Sequence, residues 1–344
     1  MSKLAILWGF LRLNLPEPVV AALYGGRREV VAGRRIDPKA KAASDLVARL
    51  RDGQAMPSVE ESRRQLAVMA AKFEKPCPAS VRARDITLPG AAGERRARVY
   101  LPEGMSEEGV PTLLYLHGGG WIQGGIETHD GLCGRLAEMA GIRVISYDYR
   151  LAPEDPFPAA VDDVLACYTA LVDGTAEVRA DADRLVVCGD SAGGNLTACL
   201  MHDICRGGLP KPAAQVLLYP GVDARLKTDS MNDLRDQPLL PASRIDWYLG
   251  MYLPEGQDRH DPRVSPIFSD TLGDQPPALV VAGGHDPLWD DAHAYAEALR
   301  AAGAEADLIA YPGQIHAFMS LTKVIPQGDE ALQDTARWLR ARLG

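Results

Sequence analysis

One serine, set between glycines where an apolar run gives way to helix formers, is the first chemistry the chain offers. In "VVCGDSAGGNL", residues 186–196, Gly189-Asp190-Ser191-Ala192-Gly193 fits the GxSxG turn that lifts a serine hydroxyl above a sheet edge at a helix N-terminus. A serine hydroxyl is a weak nucleophile at neutral pH. It needs a base to take its proton and donors to hold the oxyanion formed on the attacked carbonyl. "HGGGW", residues 117–121, supplies such donors directly after the apolar run 113–116. The bare amides of Gly118, Gly119 and Gly120, with that of Ala192, are the oxyanion candidates, and the sequence does not choose among the three glycines.

The base is sought among seven histidines. His316, in "YPGQIHAF", follows the last apolar run, 308–311, and so belongs to the sheet edge where catalytic loops gather. His117 sits in the glycine loop, where a hydrogen-bonding role is expected. His129, His202, His260 and His293 fall in segments read as helix or lid, and His285 directly precedes an aspartate. That aspartate, Asp286 in "VVAGGHDPLWDD", follows the run 279–282 and can fix the tautomer of the base. Its rivals Asp290 and Asp291 stand where a helix begins, a position that favours acids for the dipole alone. The chain order Ser191, Asp286, His316 is the α/β-hydrolase order.

These residues need a sheet to converge on. Short apolar runs at 112–116, 144–147, 185–188, 216–219, 279–282 and 308–311 alternate with glycine turns and helical segments. That pattern predicts a mostly parallel central sheet flanked by helices. Residues 81–88 and 95–101 alternate around Pro89-Gly90, a hairpin signature. Residues 1–80 are helical in character: 38–51 places Leu46, Val47 and Leu50 on one side, and Ser58 with Glu61 reads as a capping box. The final helix, about 330–343, aligns Leu332, Ala336, Leu339 and Leu343. Residues 221–277 contain no convincing strand and are expected to form a cap or lid. The division is therefore an N-terminal helical cap segment, 1–80, and a catalytic domain, 81–344, carrying the insertion.

Composition narrows the class. Apolar residues make up 47% of the chain, enough for a large core, and the net charge of -9 disfavours nucleic acid. Six scattered cysteines without a CxxC pair point to reduced thiols and a cytoplasmic location, and the histidines do not cluster with them as metal ligands. The run 4–11, interrupted by Arg12 and Asn14, is too short to span a bilayer and reads as a cap helix that leaves room for membrane-surface contact.

Taken together, "HGGGW", "YRLAPE" (149–154), "FPAAVDD" (157–163), "GDSAGGNL", "DPL" (286–288) and "YPGQIHAF" resemble the hormone-sensitive-lipase-like esterases of the α/β-hydrolase superfamily, the bacterial family IV carboxylesterases. The resemblance covers about residue 81 to the end; the first eighty residues are similar to the family's cap only in character. It implies Ser191 as nucleophile, Asp286 and His316 as its relay, and Glu154 and Asp190, with His117, as supports behind the site. The alternative for the two acids is capping or pairing with arginine. It also implies no cofactor, a small-molecule ester substrate with a short to medium acyl chain, and homodimers through an edge strand. Trp121, Phe318 and Leu288 are expected to line the substrate pocket. Ala317 departs from the glycine usual after the base, and its methyl is expected to narrow the pocket beside Phe318. Lactones, amides and acetylated small molecules remain alternative substrates of the same triad, and a non-catalytic receptor is the alternative outside catalysis.

Overall fold

The computed structural model describes residues 3–51 and 55–344. The N-terminal segment holds α1 (Lys3–Asn14), α2 (Glu17–Leu23), α3 (Pro38–Arg51) and α4 (Val59–Phe73). Arg12, which breaks the apolar run of α1, is buried and donates to the Tyr24 hydroxyl at 3.1 Å, so it docks the helix. Leu7, Trp8 and Leu11 remain exposed on the other side. A two-residue ladder, β1 (Val30–Val31) with β2 (Arg34–Arg35), interrupts this helical segment. Its turn residues Ala32 and Gly33 both take positive φ, 46° and 79°, which the hairpin twist demands and which an Ala-Gly pair does not advertise. The capping box at α4 is half formed. The Ser58 hydroxyl accepts from the Glu61 N–H at 3.1 Å, but the Glu61 carboxylate turns away to Arg64 and Gln65.

The hairpin β3 (Val81–Gly90) and β4 (Gly93–Pro102) leads into β5 (Thr112–Leu116), α5 (Asp130–Ala140), β6 (Arg143–Tyr147) and α6 (Ala159–Asp173). Then follow β7 (Leu185–Asp190), α7 (Ala192–Gly207), β8 (Ala214–Leu218), α8 (Asp229–Asp233) and α9 (Ala242–Tyr252). β9 (Ala278–His285), α10 (Trp289–Ala302), β10 (Ala306–Ile315) and α11 (Pro326–Leu343) complete the chain. The strands form one sheet in the order β10-β9-β8-β7-β5-β6-β4-β3, in which β4 alone runs against the rest. Residues 221–277 hold α8, α9 and two 3-10 turns, without a strand.

Strand alternation sorts the core into two layers. Leu114 and Leu116 of β5 pack with α6 and α7, while Leu113 and Tyr115 pack on the opposite face with α5 and α11. All five residues of β5 are buried, as expected of a central parallel strand covered on both sides. The chain leaves β5 toward β6 on one side and later returns to place β7 on the other. That reversal opens a crevice at the carboxyl ends of β5 and β7, where ligands bind in open parallel sheets. The register pairs Leu116 with Gly189 and so sets the glycine loop beside the serine turn. The six cysteines are free. Among the described residues no helix is long and apolar enough to cross a membrane.

Candidate active site

Ser191 sits between β7 and α7 with φ 54°, a conformation costly for any residue with a Cβ. The strain is held by neighbours. The Ser191 N–H donates to the Leu218 carbonyl at 2.8 Å, and the turn is pressed so close to β5 that side chains on its glycines would collide. A Cβ on Gly189 would lie 2.2 Å from the Gly193 carbonyl oxygen, and one on Gly193 would lie 1.9 Å from that of Leu116. Glycine is therefore required at both places by close approach of backbone, which is the physical content of the GxSxG spacing.

Three side chains from three loops meet here. The Ser191 hydroxyl donates to His316 Nε2 at 2.9 Å. His316 Nδ1 donates to Asp286 Oδ2 at 2.7 Å, and Asp286 Oδ1 accepts the Leu288 N–H at 2.9 Å. Asp286 is fully buried, so its charge is held in low dielectric next to the ring it orients. This arrangement leaves Nε2 unprotonated and facing the hydroxyl, the tautomer a general base needs. Tyr219, itself strained at φ 39°, meets the His316 ring edge-on at 5.1 Å.

The glycine loop is sorted by one bond. The Gly118 N–H donates to Asp190 Oδ1 at 2.7 Å, so Gly118 is not free to hold an oxyanion. Among the described residues the amides of Gly119 and Gly120 have no acceptor within the protein. Ala192, the first residue of α7, has no intrahelical acceptor for its own.

Asp190 lies at the centre of a buried cluster behind the loop. Its Oδ1 also accepts from the Tyr115 hydroxyl at 2.7 Å and faces His129 Nε2 at 3.3 Å. The sequence places His129 in a helical or lid segment, yet it stands at the N-cap of α5 against this carboxylate. Its Nδ1 faces Thr128 Oγ1 at 2.9 Å, a hydroxyl whose proton goes to the Gly125 carbonyl. Nε2–H donates to the carboxylate, and an imidazolium would add a second donor toward Thr128 Oγ1. Burial disfavours that cation, but the Asp190 charge and hydrogen bond outweigh it and raise the His129 pKa. Burial would raise Asp190; the His129 charge outweighs it and holds the carboxyl below its ordinary value. His117 stacks on Tyr149 at 4.3 Å and donates through Nδ1 to the Gly118 carbonyl at 2.9 Å. Burial, then the nearby His129, push its pKa down to about 4, so it serves the loop as a neutral ring.

Other expected residues fall elsewhere. Glu154 does not reach the triad. It is exposed and paired with Arg63, which also donates to the Ile122 and Ala152 carbonyls and so clamps the outside of the loop. Phe318 lies in the core, fully buried against Tyr219 and Tyr311, because left-handed Ala317 (φ 57°) turns the chain inward. The same φ explains why glycine would be usual at 317. Trp121 and Leu288 do line a cavity at Ser191. Asp290 and Asp291 do more than serve a dipole. Asp290 accepts the Ser230 N–H, and buried Asp291 accepts those of Val222 and Asp223 at 2.9 and 3.0 Å. His285 is turned to the Arg34 carbonyl, away from the site.

Burial pushes Asp291 up to about 7. Its ordinary value near 4 applies when unfolded, so between about pH 4 and 7 the folded chain holds the extra proton and folding weakens as pH rises. Asp291→Asn removes this term. The stability of the natural protein relative to that variant is therefore expected to fall from pH 4 to 7 and then level off. Urea midpoints measured across that range check it; a constant difference would refute the assignment.

Two cavities flank the serine. One, about 40 Å³, is walled by Trp121, Leu249, Val264 and Leu288. The other, about 520 Å³, runs between α3 and α4 and is bordered by His316, Gln65 and Met69. Tyr248 faces both, and α9, which carries it, forms the partition.

A strained serine, a tautomer-locked histidine and free amides at a sheet crossover mark the class of serine hydrolases built on a parallel sheet. The chain belongs to the α/β-hydrolase fold family, which matches over residues 113–320, and to its hormone-sensitive-lipase-like branch. It is 37% identical over 340 residues to the carboxylic ester hydrolase LipN of Mycobacterium tuberculosis, an alignment covering 96% of this chain and 89% of that one. It is 37% identical over 281 residues to the ethyl acetate hydrolase of Pseudomonas putida, covering 79% and 87%. Among solved structures, an α/β-hydrolase enzyme from the Lake Arreo metagenome superposes with TM-score 0.85 at 37% identity, covering 89% of this chain and 98% of that one. An esterase of the bacterial hormone-sensitive lipase family superposes with TM-score 0.79 at 30% identity, covering 89% and 99%.

Proposed function

We propose that this carboxylic ester hydrolase works through an acyl-enzyme on Ser191 and prefers esters with a short acyl group and a bulky alcohol. The unbroken series Ser191–His316–Asp286 carries the mechanism. Ser191 attacks the ester carbonyl as His316 Nε2 takes its proton, and the amides of Gly119, Gly120 and Ala192 receive the oxyanion. His316 then protonates the departing alkoxide. A water activated by the same ring releases the acid, and no cofactor enters.

The acyl limit follows from where the leaving group must go. His316 has to reach the leaving oxygen, and His316 borders only the larger cavity. The alcohol is therefore assigned to that side and the acyl chain to the smaller one. On the scale where one water needs about 10–15 Å³, the smaller cavity holds roughly three non-hydrogen atoms, the tail of a butyryl group. In a series of p-nitrophenyl esters, kcat/KM is expected to fall at least about tenfold from butyrate to octanoate. Leu249→Ala, at a stability cost of about 3 kcal/mol, shifts the optimum to longer chains. A flat profile, or an optimum unmoved in Leu249→Ala, would reject this assignment of the two sides. Residues 1–80 and 221–277 act together as the cap, since α3, α4 and α9 wall the larger cavity. The exposed Leu7, Trp8 and Leu11 support contact of α1 with a lipid surface.

A further inference from the structure

The larger cavity carries an excess of positive charge in a protein whose net charge is -9. Arg51 closes α3 and Arg244 belongs to α9, and both border the cavity that receives the alcohol. Arg244 is 5% exposed, and among the described residues its only polar contact is a weak one from Nη1 to the Met56 sulfur at 3.5 Å. Its guanidinium otherwise lies over the rings of Trp247 and Tyr248, 5.2 and 5.7 Å from their centroids. Arg51 spends one nitrogen on the Pro238 and Leu239 carbonyls. Burial, then the Arg244 charge across the same cavity, lower its pKa. Among the described residues neither arginine has a carboxylate partner. The two acids that border the same cavity are already engaged: Glu61 by Arg64 and Gln65, Asp190 by His129, Tyr115 and Gly118.

Two poorly solvated guanidinium groups bordering one cavity, with no carboxylate partner among the described residues, repel each other and cost desolvation. An anion between them relieves both costs and receives charge-assisted hydrogen bonds in a geometry suited to a carboxylate or phosphate oxygen pair. From this juxtaposition on the leaving-group side we infer that the favoured substrates are short-chain esters of an alcohol or phenol that itself carries an anionic group, held by Arg51 and Arg244. The inference rests on the esterase reading and on the alcohol occupying the larger cavity. It adds recognition of charge at a place where the apolar walls alone would favour a neutral group. The bond broken is unchanged: the acyl group passes to Ser191, and the anionic alcohol departs with the proton delivered by His316.

The test compares two esters of one shape and different charge, meta-acetoxybenzoate and meta-acetoxybenzamide, by kcat/KM at neutral pH and low salt. The benzoate is expected to be favoured by roughly tenfold or more, the range of a charge-assisted hydrogen bond. Added potassium chloride should shrink the preference. In Arg244→Gln and in Arg51→Gln the ratio of the two constants falls toward one, while Arg244→Lys keeps most of it. Because the readout is a ratio within one protein, a general loss of activity does not imitate the result. If Arg51→Gln disturbs the loop at 238–239, Arg244→Gln decides alone. A ratio of one or below in the natural protein, or a ratio unmoved in Arg244→Gln, overturns the inference while leaving ester hydrolysis standing. Failure to hydrolyse either ester and p-nitrophenyl acetate as well overturns the esterase reading, and this inference with it.

Discussion

Ser191→Ala is expected to lose hydrolysis of p-nitrophenyl acetate by about a million-fold in kcat while remaining folded. The size of the loss follows from the chemistry. Without the hydroxyl no acyl-enzyme forms, and His316 has no proton to take from a positioned nucleophile. What survives is the modest help of the free amides and of substrate binding. The fold is expected to persist because alanine keeps the same Cβ in the same strained backbone, φ 54°, and only the hydrogen bond to His316 is lost. Initial rates beside far-ultraviolet circular dichroism make the measurement. Turnover within tenfold of the natural protein would remove Ser191 from the mechanism. A fluorophosphonate that labels the active natural protein at another residue would do the same.

The second large effect is expected for Asp286→Asn, about ten thousand-fold in kcat, with little loss of substrate binding. The reason lies in a hydrogen bond on the far side of the carboxylate. Asp286 Oδ1 accepts the Leu288 N–H, and Oδ2 accepts from His316. An asparagine must keep its carbonyl oxygen toward Leu288, since its amide would oppose that N–H donor to donor. Its NH2 then points at His316 Nδ1 and donates to it. The ring proton is driven to Nε2, the nitrogen that should take the Ser191 proton, and the base is disabled by tautomer with its position unchanged. Asp286→Ala, which imposes no tautomer, is expected to retain more activity than Asp286→Asn. Equal losses in the two variants would show that the carboxylate acts by charge alone, and the reverse order would refute the tautomer argument.

The two substitutions also show how unevenly the site could be read from residues in a row. The serine turn was legible because its glycines are adjacent in sequence to the serine they serve. His316 and Asp286 were legible because loops after parallel strands share one sheet edge whatever the distance along the chain. The strands themselves were read nearly in place, since fully buried strands are short apolar runs bounded by turns, and residues 112–116 became β5 with the same limits. The final helix was read from its face alone, and it starts earlier, at Pro326.

What escaped that reading depended on contacts between distant segments. Nothing local marks His129 as the partner of Asp190, because the pairing crosses from the start of α5 to the end of β7. Glu154 carries a motif position but is spent on Arg63 of α4, a helix from the first eighty residues. Phe318 follows the base in sequence and was therefore expected at the pocket, yet a left-handed turn at Ala317 sends it to the core. Asp291 stands in the first turn of α10 like any dipole-favoured acid, and only the approach of 222–223 makes it a buried acceptor.

The residue types and their order along the chain named the candidates for the proposed chemistry: a nucleophile, a base, an acid and a patch of bare amides, each tied to the end of a strand. The tertiary structure decided which amides remain free, how much room lies on each side of the serine, and where two arginines are left facing that room. The physical reason is range. A turn or a strand is governed by neighbours a few residues away, whereas the occupancy of a donor, the volume of a cavity and the pairing of a buried charge are properties of surfaces that meet only after the chain has folded.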